Sequence, residues 1–294
     1  MASIPDTPHS PAIARSGGVI PAKRRVMLCA DDFAQTQATV DGILALLDVG
    51  RLSAVSCLVE SPLWADAGVR LRSRPAMFDV GLHFNLTHDF SGSSRHRPMA
   101  LPWLVLTTAL RRISRPRIEA QLRHQLDLFE REMGRPPDFV DGHQHVHQLP
   151  VVRDALVSVL RLRYPSSDIA IRISVPAESH GPKQSLIACL GGRQLLEIVR
   201  KERISHNRDF AGIYDFSAHP PYADRMSRWL SGVRDGGLIM CHPARPGPAD
   251  DDPIAPARER ELAHLLSNRF LASLHDCRVQ LARFRDLRST QPGA

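Results

Sequence analysis

The sequence predicts one α/β domain built as a (β/α) barrel, TIM-like but distorted or incomplete. Apolar runs alternate along the chain with segments of helical periodicity, which is typical of parallel strands joined by right-handed crossovers. Up to eight such runs fit into about 260 residues, the usual size of this architecture. The chain has 294 residues, 43% of them hydrophobic, which is enough for one sizeable core.

Eight segments are predicted as strands, because each is a short apolar run bounded by polar or turn-forming residues. In chain order they are residues 26–30, 54–59, 79–86, 138–141, 169–173, 210–216, 238–241 and 279–281.

Six segments between the strands are predicted as helices. The clearest is 118–133, where apolar residues recur at spacings of four and three and Gly134 follows. The others are residues 38–49, 151–162, 192–204, 222–233 and 257–274. The longest irregular insertion is 87–116, and we expect either a lid or a plain surface excursion there.

Composition narrows the class of protein. Residues 1–22 are rich in Pro, Ser, Ala and Gly and lack the apolar segment of a signal peptide, so we expect a disordered lead-in before a domain at 23–290. No apolar run approaches the roughly 20 residues that span a bilayer, which argues against stable membrane insertion. Cys29, Cys57 and Cys241 fall in predicted strands and no pair has CxxC spacing, which favours buried thiols in a reducing cytoplasm.

The formal net charge of +7 comes mainly from scattered Arg residues. No aromatic and basic nucleic-acid motif accompanies this charge, so we predict no nucleic-acid partner. The sequence leaves a homodimer open.

Carboxylates and imidazoles follow separate predicted strands. Asp31 and Asp32 come after the first strand, His83 lies in the third and His143 follows the fourth. The carboxyl ends of all barrel strands open on one face, where active sites are built. Oxygen and nitrogen donors of this kind bind divalent cations. The placement therefore predicts a metalloenzyme.

Four motifs occur along the chain in a specific order. They are Ala-Asp-Asp-Phe at 30–33, Gly-Leu-His-Phe-Asn-Leu-Thr at 81–87, Asp-Gly-His-Gln-His-Val-His at 141–147 and Met-Cys-His-Pro at 240–243. Together they resemble the YdjC-like carbohydrate deacetylases, which include chitooligosaccharide and hopanoid-associated deacetylases, from about residue 25 to 287. The resemblance implies a TIM-barrel-like fold, one divalent metal ion and hydrolysis of the N-acetyl group of an amino sugar.

One residue departs from that pattern. The family usually has Gly after Asp-Asp-Phe, whereas this chain has Ala34. If the position needs a positive φ, Ala costs on the order of 1 kcal/mol.

The resemblance implies that Asp32, His83 and His143 bind the metal, which we expect to be Mg or Zn, with Mn or Co as alternatives. Asp31 precedes Asp32 by one residue, and neighbours on an extended backbone point in different directions, so Asp31 suits the general base. An N-cap or turn role is the structural alternative for the two carboxylates.

The histidine tract allows two geometries. If the backbone stays extended, His143, His145 and His147 face the same way, whereas in a helix only His143 and His147 share a face. We interpret His147 as a contact to the substrate or to a ligand, and His145 as structural.

Three further groups complete the predicted site. His242 follows the seventh strand and is the candidate acid for the leaving amine, with a strand-end structural role as the alternative. Arg172 interrupts an apolar strand and either pairs with Asp31 or points outward. His219 and Tyr222 are candidate sugar contacts.

The sequence therefore predicts a cytoplasmic, metal-dependent N-deacetylase acting on a small carbohydrate or glycolipid. One alternative is metal-dependent phosphoester hydrolysis, since Asp and His clusters also serve phosphoryl chemistry. The other is a non-catalytic sugar- or metal-binding protein on the same fold.

Overall fold

The computed structural model describes residues 22–90, 98–166, 168–176, 188–247 and 252–288. The lead-in predicted for residues 1–22 lies outside these ranges, apart from Ala22. The described residues pack around a large core of Leu, Val, Ile, Ala and Phe side chains.

Eight strands form one sheet in which every neighbouring pair is parallel. Each of the eight predicted strands overlaps one of them. Their bounds are β1 Arg24–Phe33, β2 Ala54–Cys57, β3 Asp79–Phe84, β4 Phe139–Gly142, β5 Ala170–Ile171, β6 Asp209–Ala211, β7 Gly237–Cys241 and β8 Val279–Leu281.

The sheet curls into an incomplete barrel. The strand order is β5-β4-β3-β2-β1-β7-β6, and β8 pairs with the start of β1. Between β5 and β6 the ladder is reduced to a single bridge from Ile171 to His206. The Asn207 side chain extends this junction, because its amide accepts from Ile173 N at 2.8 Å and donates to Ile173 O at 2.8 Å. The predicted class, a distorted TIM-like barrel, is confirmed.

Helices cover the outside of the sheet. In the described part of the chain they are α1 Gln37–Asp48, α2 Trp64–Arg72, α3 Leu101–Ala109, α4 Arg115–Met133, α5 Val152–Arg163, α6 Arg193–Lys201, α7 Tyr222–Gly232, α8 Ala255–Leu266, α9 Asn268–Asp276 and α10 Phe284–Arg288. The clearest prediction is confirmed, since α4 buries a stripe of residues spaced by three and four and ends at Gly134, which has φ 69°.

One predicted helix and one predicted irregular segment differ from the structure. Residues 257–274 are not one helix, because Ser267 adopts an extended conformation and its hydroxyl accepts from Phe270 N, which starts a new helix. The insertion 87–116 is not wholly irregular, since it contains α3 and the start of α4.

The end of β1 is locally distorted, and this distortion presents two consecutive carboxylates. The register with β2 shifts between Ala30 and Phe33, and Asp32 has φ 63°. Ala34 has φ 71°, so the position that holds Gly in the family does require a positive φ here. Ala34 therefore carries backbone strain of about 1 kcal/mol.

Within the described residues, no helix is both long enough and apolar enough to cross a membrane.

Candidate metal centre and catalytic site

A cavity of about 490 Å³ opens at the carboxyl ends of the strands. Its polar wall contains both consecutive carboxylates and five histidines, one of which is His88, and its apolar wall contains side chains from β7 and from the segment after β6. The residues that line it and matter for the chemistry are Asp31, Asp32, His83, His143, His145, His242, Tyr214, Phe216, Asp252 and Arg258.

Three potential metal ligands, which come from the ends of different strands, lie close together in the cavity. Asp32 Oδ1 lies 2.9 Å from His143 Nδ1 and 3.3 Å from His83 Nε2. One donor atom from each residue lies within 4.8 Å of the others. One carboxylate and two imidazoles form the donor set that Zn²⁺ and similar divalent ions take in sites with open positions. The three residues therefore fit a divalent cation.

Asp141 contacts the ring nitrogen of His83 that faces away from Asp32. The sequence analysis did not select Asp141 as a site residue. Asp141 Oδ1 lies 2.6 Å from His83 Nδ1, and Ser56 donates a short hydrogen bond to the same oxygen. This contact turns His83 Nε2 towards Asp32, and metal-binding histidines are commonly oriented in this way. Asp141 is the first residue of the histidine motif at 141–147. Its position next to a candidate metal ligand could have identified it as a site residue from the sequence.

The electrostatics of His83 favour a cation in this place. Burial lowers the pKa of His83, but Asp141 and Asp32 outweigh burial and raise it to about 10. The carboxylates thus create a negative potential that either a proton or a metal ion can satisfy.

Asp31 points away from Asp32 and pairs with a buried arginine. Arg172 Nη1 and Nη2 lie 2.6 Å from the two oxygens of Asp31, and Nη2 also lies 2.6 Å from Asp141 Oδ2. Burial raises the pKa of Asp31, but the Arg172 charge and hydrogen bonds outweigh it and hold that pKa well below its usual range. Arg172 thus points inward and keeps Asp31 ionised and fixed in orientation.

The second oxygen of Asp32 is also held by an arginine, from a helix far along the chain. Arg258 of α8 donates to Asp32 Oδ2 at 2.8 Å, to Asp252 at 2.5 Å and to Gln35 Oε1 at 2.7 Å. Arg258 is 2% exposed. The sequence analysis missed it because an arginine in a helical segment is ordinarily a surface residue.

His242 follows β7 and lines the same cavity. Its Nδ1 has no hydrogen-bond partner among the described residues. Burial lowers the pKa of His242 to about 4, so the imidazole is neutral at pH 7 in the metal-free protein.

Glu261 of α8 anchors the His242 backbone and was not predicted. Its carboxylate accepts from His242 N at 2.5 Å and from Tyr214 Oη at 2.5 Å. Burial raises the pKa of Glu261 to about 7. Because the folded pKa exceeds the unfolded one, the stabilising contribution of Glu261 is complete below about pH 4.5 and is lost as the pH rises through about 7.

We therefore expect Glu261→Gln to flatten the pH dependence of stability. Gln can still accept from His242 N, and Tyr214 Oη can accept from its amide, so both contacts survive without the buried charge. Urea unfolding in the presence of chelator should show that wild type loses about 1–3 kcal/mol more than the variant between pH 5 and pH 8. The exposed Glu197→Gln is the matched control. Equal pH slopes for wild type and Glu261→Gln would contradict the assignment.

Three predicted substrate contacts lie away from the cavity. His147 is buried with Nε2 3.0 Å from Arg172 O. Tyr222 packs among the rings of Tyr214, Trp229 and His264. His219 is exposed and precedes a cis proline. None of the three is among the described residues that line the cavity.

The histidine tract follows neither predicted geometry. Residues His143–Gln148 form a 3₁₀ segment in which Gln144 and His145 have positive φ. His143 therefore points at Asp32, while His145 lines the cavity and contacts Ser174 Oγ at 3.0 Å. Gly142 permits this turn, because a Cβ there would lie 2.8 Å from His147 N.

Comparisons with known proteins show which family the chain resembles. The family model described as YdjC-like protein matches residues 25–276. A human carbohydrate deacetylase is 26% identical over 92% of this chain and 93% of its own length. A Serratia marcescens chitooligosaccharide deacetylase is 27% identical over 44% of this chain and 53% of its own.

A solved structure from Enterococcus faecalis V583, described as a candidate cellobiose-phosphate cleavage protein, shares the fold. It superposes with a TM-score of 0.68 at 18% identity and covers 90% of this chain and 99% of its own. The barrel, the four ordered motifs and the match over 25–276 agree, and the chain belongs to the YdjC-like protein family.

Proposed function

We propose that this protein is a metal-dependent carbohydrate N-deacetylase, which hydrolyses the N-acetyl group of an amino sugar or glycoconjugate. The observation that carries the proposal is that two adjacent carboxylates have different partners. Asp31 is paired with Arg172, whereas Asp32 joins His83 and His143, and all except Arg172 line one cavity. Similarity to carbohydrate and chitooligosaccharide deacetylases supports the choice of reaction.

Asp32, His83 and His143 would hold the metal ion. When bound, a divalent ion supplies polarisation of the acetyl carbonyl and lowers the pKa of a water molecule. Two imidazoles and one carboxylate suit Zn²⁺, Mn²⁺ or Co²⁺ better than Mg²⁺, which prefers oxygen ligands.

Asp31 would accept the proton of the attacking water. Arg172 keeps Asp31 ionised in the resting state and limits its rotation, because both carboxylate oxygens are paired with the guanidinium. A base that is always ionised and already aligned spends no free energy on deprotonation or reorientation before attack. Arg172 acts on Asp31 rather than on the substrate and is a positioning residue.

His242 would supply the proton that the leaving amine needs. Its imidazole is neutral at rest, so it must take up a proton from solvent before the C–N bond breaks. The negative charge that develops on the tetrahedral carbon's oxygen favours that uptake. Glu261 accepts a hydrogen bond from the His242 backbone N–H and thereby fixes the position of the His242 ring in the cavity.

Phosphoester hydrolysis is less well supported. Enzymes of that class often use two metal ions about 3.5–4 Å apart. Within the described residues the second group of potential ligands is Cys29, Asp31 and Asp141, and Arg172 binds all three. An arginine already neutralises that cluster, which argues against a second ion there.

The test is acetate release from a panel of N-acetylated monosaccharides, oligosaccharides and glycolipids. We expect release from at least one class, loss of activity after chelation, and recovery on addition of Zn²⁺, Mn²⁺ or Co²⁺. Sugar phosphates provide the matched negative substrates. Phosphate release without acetate release would overturn the proposal in favour of phosphoester hydrolysis.

A further inference from the structure

Helix α3 has an apolar side with no partner in the described part of the chain. Trp103 and Leu106 of α3 and Leu110, the residue that caps its C-terminus, are 64%, 46% and 54% exposed and follow one another at spacings of three and four, so they share one face. The opposite side is integrated into the protein, since Leu104 is buried and Leu101 lines the active-site cavity. The exposed face, called here the α3 face and comprising these three residues, is therefore fixed beside the cavity.

Positive charge is concentrated in the segment that contains the α3 face. Residues 98–118 include four arginines and no Asp or Glu. The four are Arg111, Arg112, Arg115 and Arg117, of which Arg115 pairs with Glu119 at 2.9 Å. Arg111 and Arg112 directly follow the helix and are exposed.

We propose that the α3 face docks reversibly on an anionic lipid surface. An exposed Trp with Leu residues beside a group of arginines is the pattern by which helices bind the headgroup region, with apolar side chains inserted and cations against acidic lipid. The absence of a membrane-spanning helix among the described residues is compatible with such peripheral contact.

A second copy of this chain is a poorer occupant. Stable dimers bury about 800 Å² per partner, far more than three side chains provide. A twofold contact would also bring two sets of arginines together, and like charges repel. An acidic surface instead complements both properties of the segment.

The test uses the full chain and vesicles of phosphatidylcholine with or without phosphatidylglycerol. We expect co-sedimentation with the acidic vesicles only, weakened by added salt because screening shortens the range of the attraction. Trp emission should shift to the blue on binding, and Trp103→Gln should abolish the shift, because Trp64 is already buried and Trp229 packs against the rings of Tyr214 and Tyr222. Neither measurement depends on catalysis, so docking can fail while the proposed reaction stands.

Two pairs of variants separate the apolar and the charged contributions. Arg111→Gln with Arg112→Gln should weaken partitioning about 30-fold, from about 1 kcal/mol per charge. Trp103→Gln with Leu106→Gln should weaken it at least about tenfold. Two matched controls change exposed residues elsewhere in the protein. The double variant Arg200→Gln with Arg228→Gln controls for the loss of charge, and Leu162→Gln controls for the loss of an apolar side chain. Both controls should bind as wild type does.

Three outcomes would overturn the proposal. They are equal binding to neutral and acidic vesicles, equal losses in test and control variants, and a dimer in sedimentation velocity that Trp103→Gln dissociates. The last outcome would assign the α3 face to a second copy.

Discussion

Asp31→Asn is expected to lower kcat by roughly 10² to 10⁴-fold, the usual contribution of a positioned general base. This range corresponds to roughly 3 to 5 kcal/mol of transition-state stabilisation. Asn has the shape of Asp and can still accept one hydrogen bond from Arg172, but it cannot take a proton from water. KM and bound metal should change little, because Asp32, His83 and His143 are untouched. Acetate release and metal content, measured on the same samples, check both expectations.

A fold defect must be separated from a chemical one. Removing one charge from the buried Asp31–Arg172–Asp141 network lowers stability, although Asp141 still neutralises the arginine. Thermal unfolding should therefore show a reduced Tm but a folded protein at the assay temperature. Asp286→Asn, which breaks a surface ion pair with Arg283, is the matched control. If Asp31→Asn lost metal while Asp32→Asn kept it, the two roles would be exchanged.

The convergence of the site was predictable because it follows from the topology. Parallel strands in one sheet place their carboxyl ends at one edge, so residues that follow β1, β3 and β4 must meet. Register makes this concrete, since His83 of β3 lies opposite Asp141 of β4. The inward orientation of Arg172 was one of two alternatives, because a charge inside an apolar strand fits either a buried partner or an exposed edge.

Other parts of the site depend on information that local sequence does not carry. His143, His145 and His147 alternate in sequence, but two residues with positive φ direct them to different places. Tyr222 and His219 adjoin a strand end, yet the segment after β6 presents Tyr214 and Phe216 to the cavity instead. Arg258 reaches Asp32 from 226 residues away, and that contact exists only once α8 packs beside β1. The sequence pattern identifies which residues lie at the end of a strand, whereas tertiary packing determines which of those residues face the cavity.

The last prediction concerns the metal and compares residues that bind it with a residue that orients a ligand. His143→Ala removes one proposed ligand atom and Asp32→Asn replaces a charged ligand with a neutral one, so metal affinity should fall more than 100-fold in each variant and activity should fall with it. Asp141→Asn leaves all three ligands but weakens the hold on His83 Nδ1, for which a loss of roughly 10 to 100-fold in affinity is expected.

Calorimetric titration of metal-free protein, with metal content checked by elemental analysis, would rank these variants against wild type and the Asp286→Asn control. Excess metal should partly restore the activity of Asp141→Asn, because its ligands remain in place and only their alignment has loosened. His143→Ala should recover less, since one coordination position is gone. Full metal occupancy in His143→Ala would exclude His143 as a ligand, and an unchanged metal affinity in Asp32→Asn would exclude a charged Asp32 ligand.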